Sequence, residues 1–145
     1  MKKFLYIAML ALITIFSNFA NAEVRTIGKI KADVPANWTT KDLGNGVVAF
    51  FAPNNEASLS VTYNPANGKN AESIANELTA AIKGSTTPIK QGDDVYRFEF
   101  TNANGAKSKT LVVVEDDEYC LFTVTDPSKK FSKDIEAIID SIESD

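Results

Sequence analysis

The sequence contains no histidine, and this absence removes most familiar catalytic arrangements. Histidine is the commonest general base near neutral pH, and it completes Ser-His-Asp and Cys-His nucleophilic sites and many zinc sites. The sequence also lacks a glycine-rich phosphate loop, a CxxC pair and EF-hand spacing. We therefore expect a protein that is not an enzyme and that needs no cofactor.

Cysteine is almost absent as well, because Cys120 is the single one in the chain. One cysteine cannot form an internal disulfide, so the domain must be stabilised by the burial of its core. Cys120 lies in the apolar run 119–122, where a cysteine is most often a small buried hydrophobic residue. A reactive thiol or an intermolecular disulfide is the alternative.

No apolar run reaches the length of about 20 residues that a membrane-spanning helix needs. The run 4–16 follows Lys2 and Lys3 and precedes Ala20-Asn21-Ala22, a small-x-small cleavage pattern. These three regions together predict a secretory signal peptide over residues 1–22, with an uncleaved anchor as the alternative. We expect a periplasmic or extracellular protein with no stable membrane insertion after cleavage.

Positive charge is scarce in the expected mature chain, residues 23–145. Cleavage removes Lys2 and Lys3, which lowers the formal net charge from −4 to −6. An acidic protein of this kind is a poor partner for nucleic acid or for anionic headgroups. The remaining 123 residues suit one domain, which we expect to be a monomer with an unidentified protein or small-molecule partner.

The hydrophobic pattern switches between period 2, typical of strands, and period 3.6, typical of helices. Asn70 is a plausible N-cap for the first helix, and Asp126-Pro127 precedes the second. The expected order is β-β-β-α-β-β-β-β-α, an α+β domain whose mainly antiparallel sheet of about six to seven strands carries two amphipathic helices. The predicted strands are 28–34, 47–52, 57–63, 86–90, 94–101, 107–115 and 118–125, and the predicted helices are 71–83 and 128–143.

Three local sequences resemble the PsbP-like superfamily, whose bacterial members include the DcrB-like periplasmic proteins. They are Val34-Pro35-Ala36-Asn37-Trp38, Val47 to Pro53, and Ile138-Ile139-Asp140-Ser141-Ile142, in which Ile142 stands where the family has an aromatic residue. The resemblance implies an antiparallel sheet flanked by helices and a role in binding or assembly rather than catalysis. It implies no catalytic residues.

One charged cluster stands out between the last two predicted strands. Glu115, Asp116, Asp117 and Glu118 are consecutive, and their mutual repulsion would be relieved by a hard cation such as Ca²⁺. These four residues are therefore candidate metal ligands. The alternative is a solvated turn whose charges keep the sheet soluble.

Candidate partner-binding residues come from the aromatic and polar positions. Trp38 is either an exposed anchor for a partner or a core tryptophan that closes one end of the sheet. If two helices leave one sheet face open, that face is the expected binding surface. We expect it to carry the residues that alternate with the apolar ones, namely Ser58, Ser60, Thr62, Arg97 and Glu99.

The function predicted from the sequence is an exported, non-enzymatic binding or assembly module. One alternative is a carboxylate- or metal-dependent enzyme that acts on cell-envelope material, and another is a Ca²⁺-binding accessory protein. A further alternative is a structural partner that pairs through a sheet edge or through Cys120.

Overall fold

A computed structural model describes residues 2–3 and 22–144, so most of the predicted signal peptide lies outside the described residues. A short 3₁₀ turn occupies Pro53–Asn55. The helices are α1 (Ala71–Ala81) and α2 (Ser132–Ser141). The strands are β1 (Lys2–Lys3), β2 (Ala22–Ile27), β3 (Ile30–Pro35), β4 (Thr39–Gly44), β5 (Val47–Phe51), β6 (Ser58–Pro65), β7 (Ile89–Gly92), β8 (Val95–Thr101), β9 (Lys107–Glu115), β10 (Glu118–Thr125) and β11 (Glu143–Ser144).

The main sheet has seven strands in the order β4-β5-β6-β10-β9-β8-β7, and every neighbouring pair is antiparallel. A smaller sheet pairs β2 with β3, β3 with β11 and β11 with β1. The predicted α+β class and its order of strands and helices are confirmed. The structure adds the two-residue strands β1 and β11 and the longer strands β2 and β4 to the predicted ones. Strands β2 and β4 are mostly exposed and lack the alternation that marks a half-buried strand.

The main sheet presents two faces, which we name after a buried phenylalanine on each. The Phe50 face collects every second residue of β5, β6, β10 and β9, and the pairing of Phe50 with Leu59 and of Val61 with Phe122 places these side chains together. The Phe98 face carries the alternate residues, including Tyr96, Phe98 and Phe100 of β8.

The larger core lies on the Phe50 face. Helix α2 and the small sheet cover it, and the buried side chains of Ile135 and Ile138 from the helix and of Ile30 and Val34 from β3 belong to one cluster with Phe50. Burying a large aliphatic or aromatic side chain contributes about 1.5–3 kcal/mol. Because a single cysteine cannot form an internal disulfide, the burial of this cluster is a main source of the stability of the domain.

The Phe98 face has a smaller core, because α1 packs mainly over β8 and β9. Ala71, Ile74 and Ala75 of the helix are buried against Phe98 and Val112. Over β5 and β6 this face has no helix, and its residues there are half-buried, except for the small, buried Ala49.

The helix starts test two sequence predictions about capping. Asn70 is the N-cap of α1, and its Oδ1 accepts a hydrogen bond from the Ser73 N–H at 2.8 Å, as predicted. Helix α2 begins at Ser132, later than predicted. Asp126 instead closes the loop before the helix, where its Oδ2 accepts from the Phe131 N–H and from the Ser132 hydroxyl, both at 3.0 Å.

Arg25 fastens the small sheet to the turn that precedes β4. Its Nη1 donates to the Trp38 carbonyl at 2.8 Å, and its Nη2 lies 3.4 Å from the carbonyl oxygens of Pro35 and Ala36. Its Nε donates to Glu23 at 2.8 Å. One side chain thus satisfies several carbonyl groups of a turn that leads into the core tryptophan.

Both edges of the main sheet carry features that discourage pairing with another chain. Edge strand β4 contains Lys41 and a register shift between Asp42 and Gly44, and edge strand β7 contains Lys90 and a shift between Lys90 and Gly92. Charges and bulges on edge strands are common protection against strand addition. In the part of the chain that the structure describes, neither helix has the length and apolar character that a membrane crossing requires.

Candidate functional site: a lysine-lined groove between the sheet and α2

The predicted partner surface is divided between two faces of the sheet. Ser60 and Thr62 lie on the Phe98 face, and Arg97 and Glu99 lie on the Phe50 face. The prediction that they share one open surface is wrong. Strands β6 and β8 are separated by β10 and β9, and the pairing across those strands decides which residues share a face.

Trp38 is a core residue and not an exposed anchor. Its side chain is 2% exposed, and its ring packs edge-on against Phe131 with centroids 6.0 Å apart. The indole N–H has no hydrogen-bond partner of good geometry, although it lies close enough to Asp134 to favour the charged carboxylate. Burial has the larger effect and raises the pKa of Asp134.

The acidic run forms a tight turn rather than a metal cluster. Glu115 and Glu118 face each other across the strands, and Asp116 and Asp117 form the tip with positive φ values of 51° and 60°. Asp117 is engaged in structure, because its Oδ1 accepts from the Gly68 N–H at 2.7 Å. No group of three metal-ligating side chains comes together among residues 22–144, so the Ca²⁺ site predicted there has no geometric support.

Cys120 is completely buried at the centre of the Phe50 face, opposite Tyr63 and Val113. Burial raises the pKa of its thiol well above the ordinary value. Because the thiolate is the reactive form, this thiol is poorly placed to react or to pair with a second chain.

A groove forms where α2 stops covering the Phe50 face. Helix α2 packs towards β3, so the outer part of the face, on β8 and β9, is left beside the helix as the floor of a half-open groove of about 790 Å³. We call it the Lys109 groove. It is lined by Glu99, Gly105, Ala106, Lys107, Ser108, Lys109, Val124, Asp126, Pro127, Lys129, Ser132, Ile135, Glu136 and Ile139.

The groove has an apolar side and a charged side. Val124 on the floor and Ile135 and Ile139 on the wall are apolar, and all three belong to or pack against the larger core. Lys107 and Lys109 alternate along β9 and so project onto the same face, with Glu99 directly across from Lys109. An amphipathic surface of this volume is within the usual range for a binding site.

Sequence reasoning found only part of this groove. Glu99 was among the predicted partner-binding residues, but the lysines were not. Their signal is present in the sequence, since Lys107 and Lys109 are two residues apart within a strand that was predicted with its observed bounds. The helix wall had no such signal, because its position beside β9 depends on the tertiary packing.

Comparison with known proteins adds information about the fold. No protein-family model matches the chain, and no curated protein matches it. The cyanobacterial PsbP (CyanoP) from Synechocystis sp. PCC 6803 superimposes with a TM-score of 0.55 and 11% identity, over 89% of this chain and 95% of that one. A crystal structure from Bacteroides thetaiotaomicron VPI-5482 gives the same TM-score with 16% identity, over 88% of this chain.

The chain spans about half of the Bacteroides protein, 49% of its length. At these identities the likeness is one of fold alone. The resemblance to the PsbP-like fold that the local sequences indicated is therefore confirmed at the level of architecture.

Proposed function

We propose that this protein is an exported, non-enzymatic accessory module that binds its partner or ligand in the Lys109 groove. The observation that carries this proposal is the groove itself, in which charged side chains of β9 and an apolar wall line one half-open cavity beside the sheet. The PsbP-like fold supports the accessory role, because the superfamily consists mostly of binding and assembly factors. The predicted signal peptide supports export.

Export is tested by expressing the full chain with a carboxyl-terminal tag and fractionating the cells. The expected mature protein starts at Glu23, as read by amino-terminal sequencing of the exported form. A Ala20→Asp/Ala22→Asp variant should remain unprocessed, since signal peptidase requires small residues at these positions. Recovery of the wild-type protein at full length in the cytoplasm would contradict export.

Binding in the groove is tested by site-specific photo-crosslinking in the native host. Glu136 is exposed at the groove, so a Glu136→p-benzoylphenylalanine variant should give a discrete crosslinked product. The matched control is Lys90→p-benzoylphenylalanine, an exposed position on β7 outside the groove. Equal products from both positions, or none from position 136, would contradict a role for the groove.

The alternative of carboxylate chemistry would use the same groove. Glu99 and Glu136 both line it, and a pair of carboxylates is the minimum for glycosidase-like catalysis. Incubation with cell-envelope glycan and chromatography of the products tests this function directly. If the wild-type protein hydrolyses the glycan and a Glu99→Gln/Glu136→Gln variant does not, the protein is an enzyme and the non-enzymatic proposal is wrong.

A further inference from the structure

We propose that the part of the Phe98 face that α1 leaves uncovered is a second binding surface, and that its ligand is a neutral glycan chain. We call it the Ser60 surface and define it by the side chains of Phe51, Ser58, Ser60, Thr62, Thr123 and Thr125. It lies on β5, β6 and β10, on the opposite side of the sheet from the Lys109 groove. The inference is therefore independent of the proposed function.

The strand register arranges the hydroxyl groups of this surface in rows across the sheet. Ser58 lies opposite Thr125 in one row, and Ser60 lies opposite Thr123 in the next. Neighbouring strands are about 4.8 Å apart, and alternate residues of one strand are about 7 Å apart. The surface therefore presents hydroxyl groups at a regular spacing in two directions.

The threonines of β10 are held in place from the buried side of each row. The Thr125 hydroxyl lies 2.6 Å from that of Ser108, and the Thr123 hydroxyl lies 2.9 Å from that of Thr110. Ser108 and Thr110 are each only 3% exposed, so both pairs are anchored in the interior. A ligand then loses less free energy in ordering these side chains, because the fold has already oriented them.

The hydroxyl groups of β6 are available to a ligand. Ser58, Ser60 and Thr62 are half-buried, and their side chains form no hydrogen bond with any residue of 22–144. A hydroxyl that is removed from water without a new hydrogen bond costs free energy. A partner that covered this surface with apolar groups alone would therefore be disfavoured.

The Ser60 surface also offers little to a charged ligand. Among the residues that β4, β5, β6 and β10 place on this face, Lys41 is the only one with a formal charge, and it lies on the edge strand. One exposed ammonium group contributes little to affinity and is screened by salt. The surface thus favours a ligand that is uncharged and rich in hydrogen-bonding groups.

A neutral glycan has both properties that this surface requires. Its hydroxyl groups donate and accept hydrogen bonds, and the C–H groups of each sugar ring form an apolar patch. Phe51 lies opposite Ser58 and Leu121 lies opposite Thr62, so half-buried apolar side chains adjoin the hydroxyl rows. An extended peptide would instead pair best at a strand edge, and both edges of the main sheet carry features that oppose pairing.

The first test titrates the purified protein with three neutral hexasaccharides, namely cellohexaose, maltohexaose and chitohexaose, using calorimetry and amide chemical-shift mapping. Glucose is the control for chain length, and hexagalacturonate is the control for charge. We expect saturable binding of at least one neutral hexasaccharide, with shifts concentrated on β5, β6 and β10. Its affinity should change little with salt, because no ion pair is formed.

The second test removes or blocks hydroxyl groups of the surface. Thr62→Val retains the shape of the side chain and should weaken binding about twofold to tenfold, the range for one lost neutral hydrogen bond. Ser60→Tyr places a bulky side chain at the centre of the surface and should abolish binding. The matched controls are Thr101→Val and Thr101→Tyr, at an exposed strand position on the Phe50 face. Circular dichroism verifies that each variant retains the fold.

Three results would overturn the glycan assignment: no saturable binding of any of the three neutral hexasaccharides, equal binding of hexagalacturonate, or equal weakening by the Thr101 variants. If all three glycans fail and a Ser60→p-benzoylphenylalanine variant crosslinks to a protein in the native host, the surface binds a protein and the glycan assignment is wrong. The proposed function is judged separately by the crosslink at position 136, which lies at the groove on the opposite face.

Discussion

The two faces of the main sheet are built from the same strands and yet are covered very differently. On the Phe50 face, a helix and a second sheet enclose a core that includes Trp38 and Cys120. On the Phe98 face, a single helix covers β8 and β9, and the half-buried Ser60 and Thr62 lie on the part without a helix. Because burial differs so much between the faces, we expect residues adjacent in sequence to differ greatly in what they contribute to stability.

Phe50 and Phe51 provide the sharpest test of this difference, because they are neighbours in β5 and point to opposite faces. Phe50 is 0% exposed, so Phe50→Ala should lower the free energy of unfolding by about 3–5 kcal/mol. Phe51 is half-buried, so Phe51→Ala should cost only about 1 kcal/mol. Urea denaturation followed by tryptophan fluorescence measures both, and equal losses would show that the two faces contribute alike.

Arg25 tests the attachment of the small sheet to the Phe50 face. Arg25→Gln should lower the free energy of unfolding by about 1–2 kcal/mol, because hydrogen bonds from a charged donor to the turn before Trp38 are lost. Glu23→Gln is the control, since it removes only the exposed ion pair and should cost less than about 1 kcal/mol. A larger loss from the Glu23 variant would contradict the role of the carbonyl contacts.

Asn70 tests the attachment of α1 to the Phe98 face. Asn70→Ala removes the side-chain acceptor for the Ser73 N–H and should cost about 1 kcal/mol. Asn76→Ala, an exposed change in the interior of the same helix, should have no such cost. Thermal unfolding followed by circular dichroism compares the two, and an equal shift in Tm would remove the cap as the explanation.

The ionisation of Cys120 tests whether water is excluded from the Phe50 face. Of the changes in the free energy of unfolding predicted here, we expect this one to be the smallest. Burial raises the pKa of the folded thiol, whereas the unfolded thiol ionises near its ordinary pKa of about 8.5. Ionisation then favours the unfolded state, so stability should be unaffected below that pH and should fall as the pH rises above it.

A Cys120→Ala variant should lack the part of the loss of stability that comes from thiol ionisation. Denaturation of both proteins at pH 7 and pH 9.5 measures this difference. In the native protein, the thiol should react with a disulfide reagent only through unfolding. Rapid labelling of the folded protein would show that the face is open to solvent.

The sequence predicted the elements with a strong local pattern. Strands β9 and β10 have the predicted bounds, because alternation and the turn residues between them mark both ends. The start of α1 was predicted for the same reason, since Asn70 acts on its own helix. Strand β4 was missed because most of its residues are exposed and polar, so burial leaves no periodic pattern.

Less of the candidate site than of the fold could be predicted from the sequence. The prediction that Ser60 and Arg97 share a surface failed because the strands that carry them are not neighbours. Trp38 had two interpretations because the same residue suits a core or a binding anchor, and only its contact with Phe131 decides between them.

Composition and periodicity by themselves determined the chemistry available to this protein and the type of each main element. A chain without histidine and with one cysteine cannot form the common nucleophilic sites or an internal disulfide. The tertiary structure alone decided which residues meet. The order β6-β10-β9-β8 and the placement of α2 bring residues as distant as Glu99 and Ile139 to one groove, and such long-range pairing depends on packing between elements rather than on local sequence.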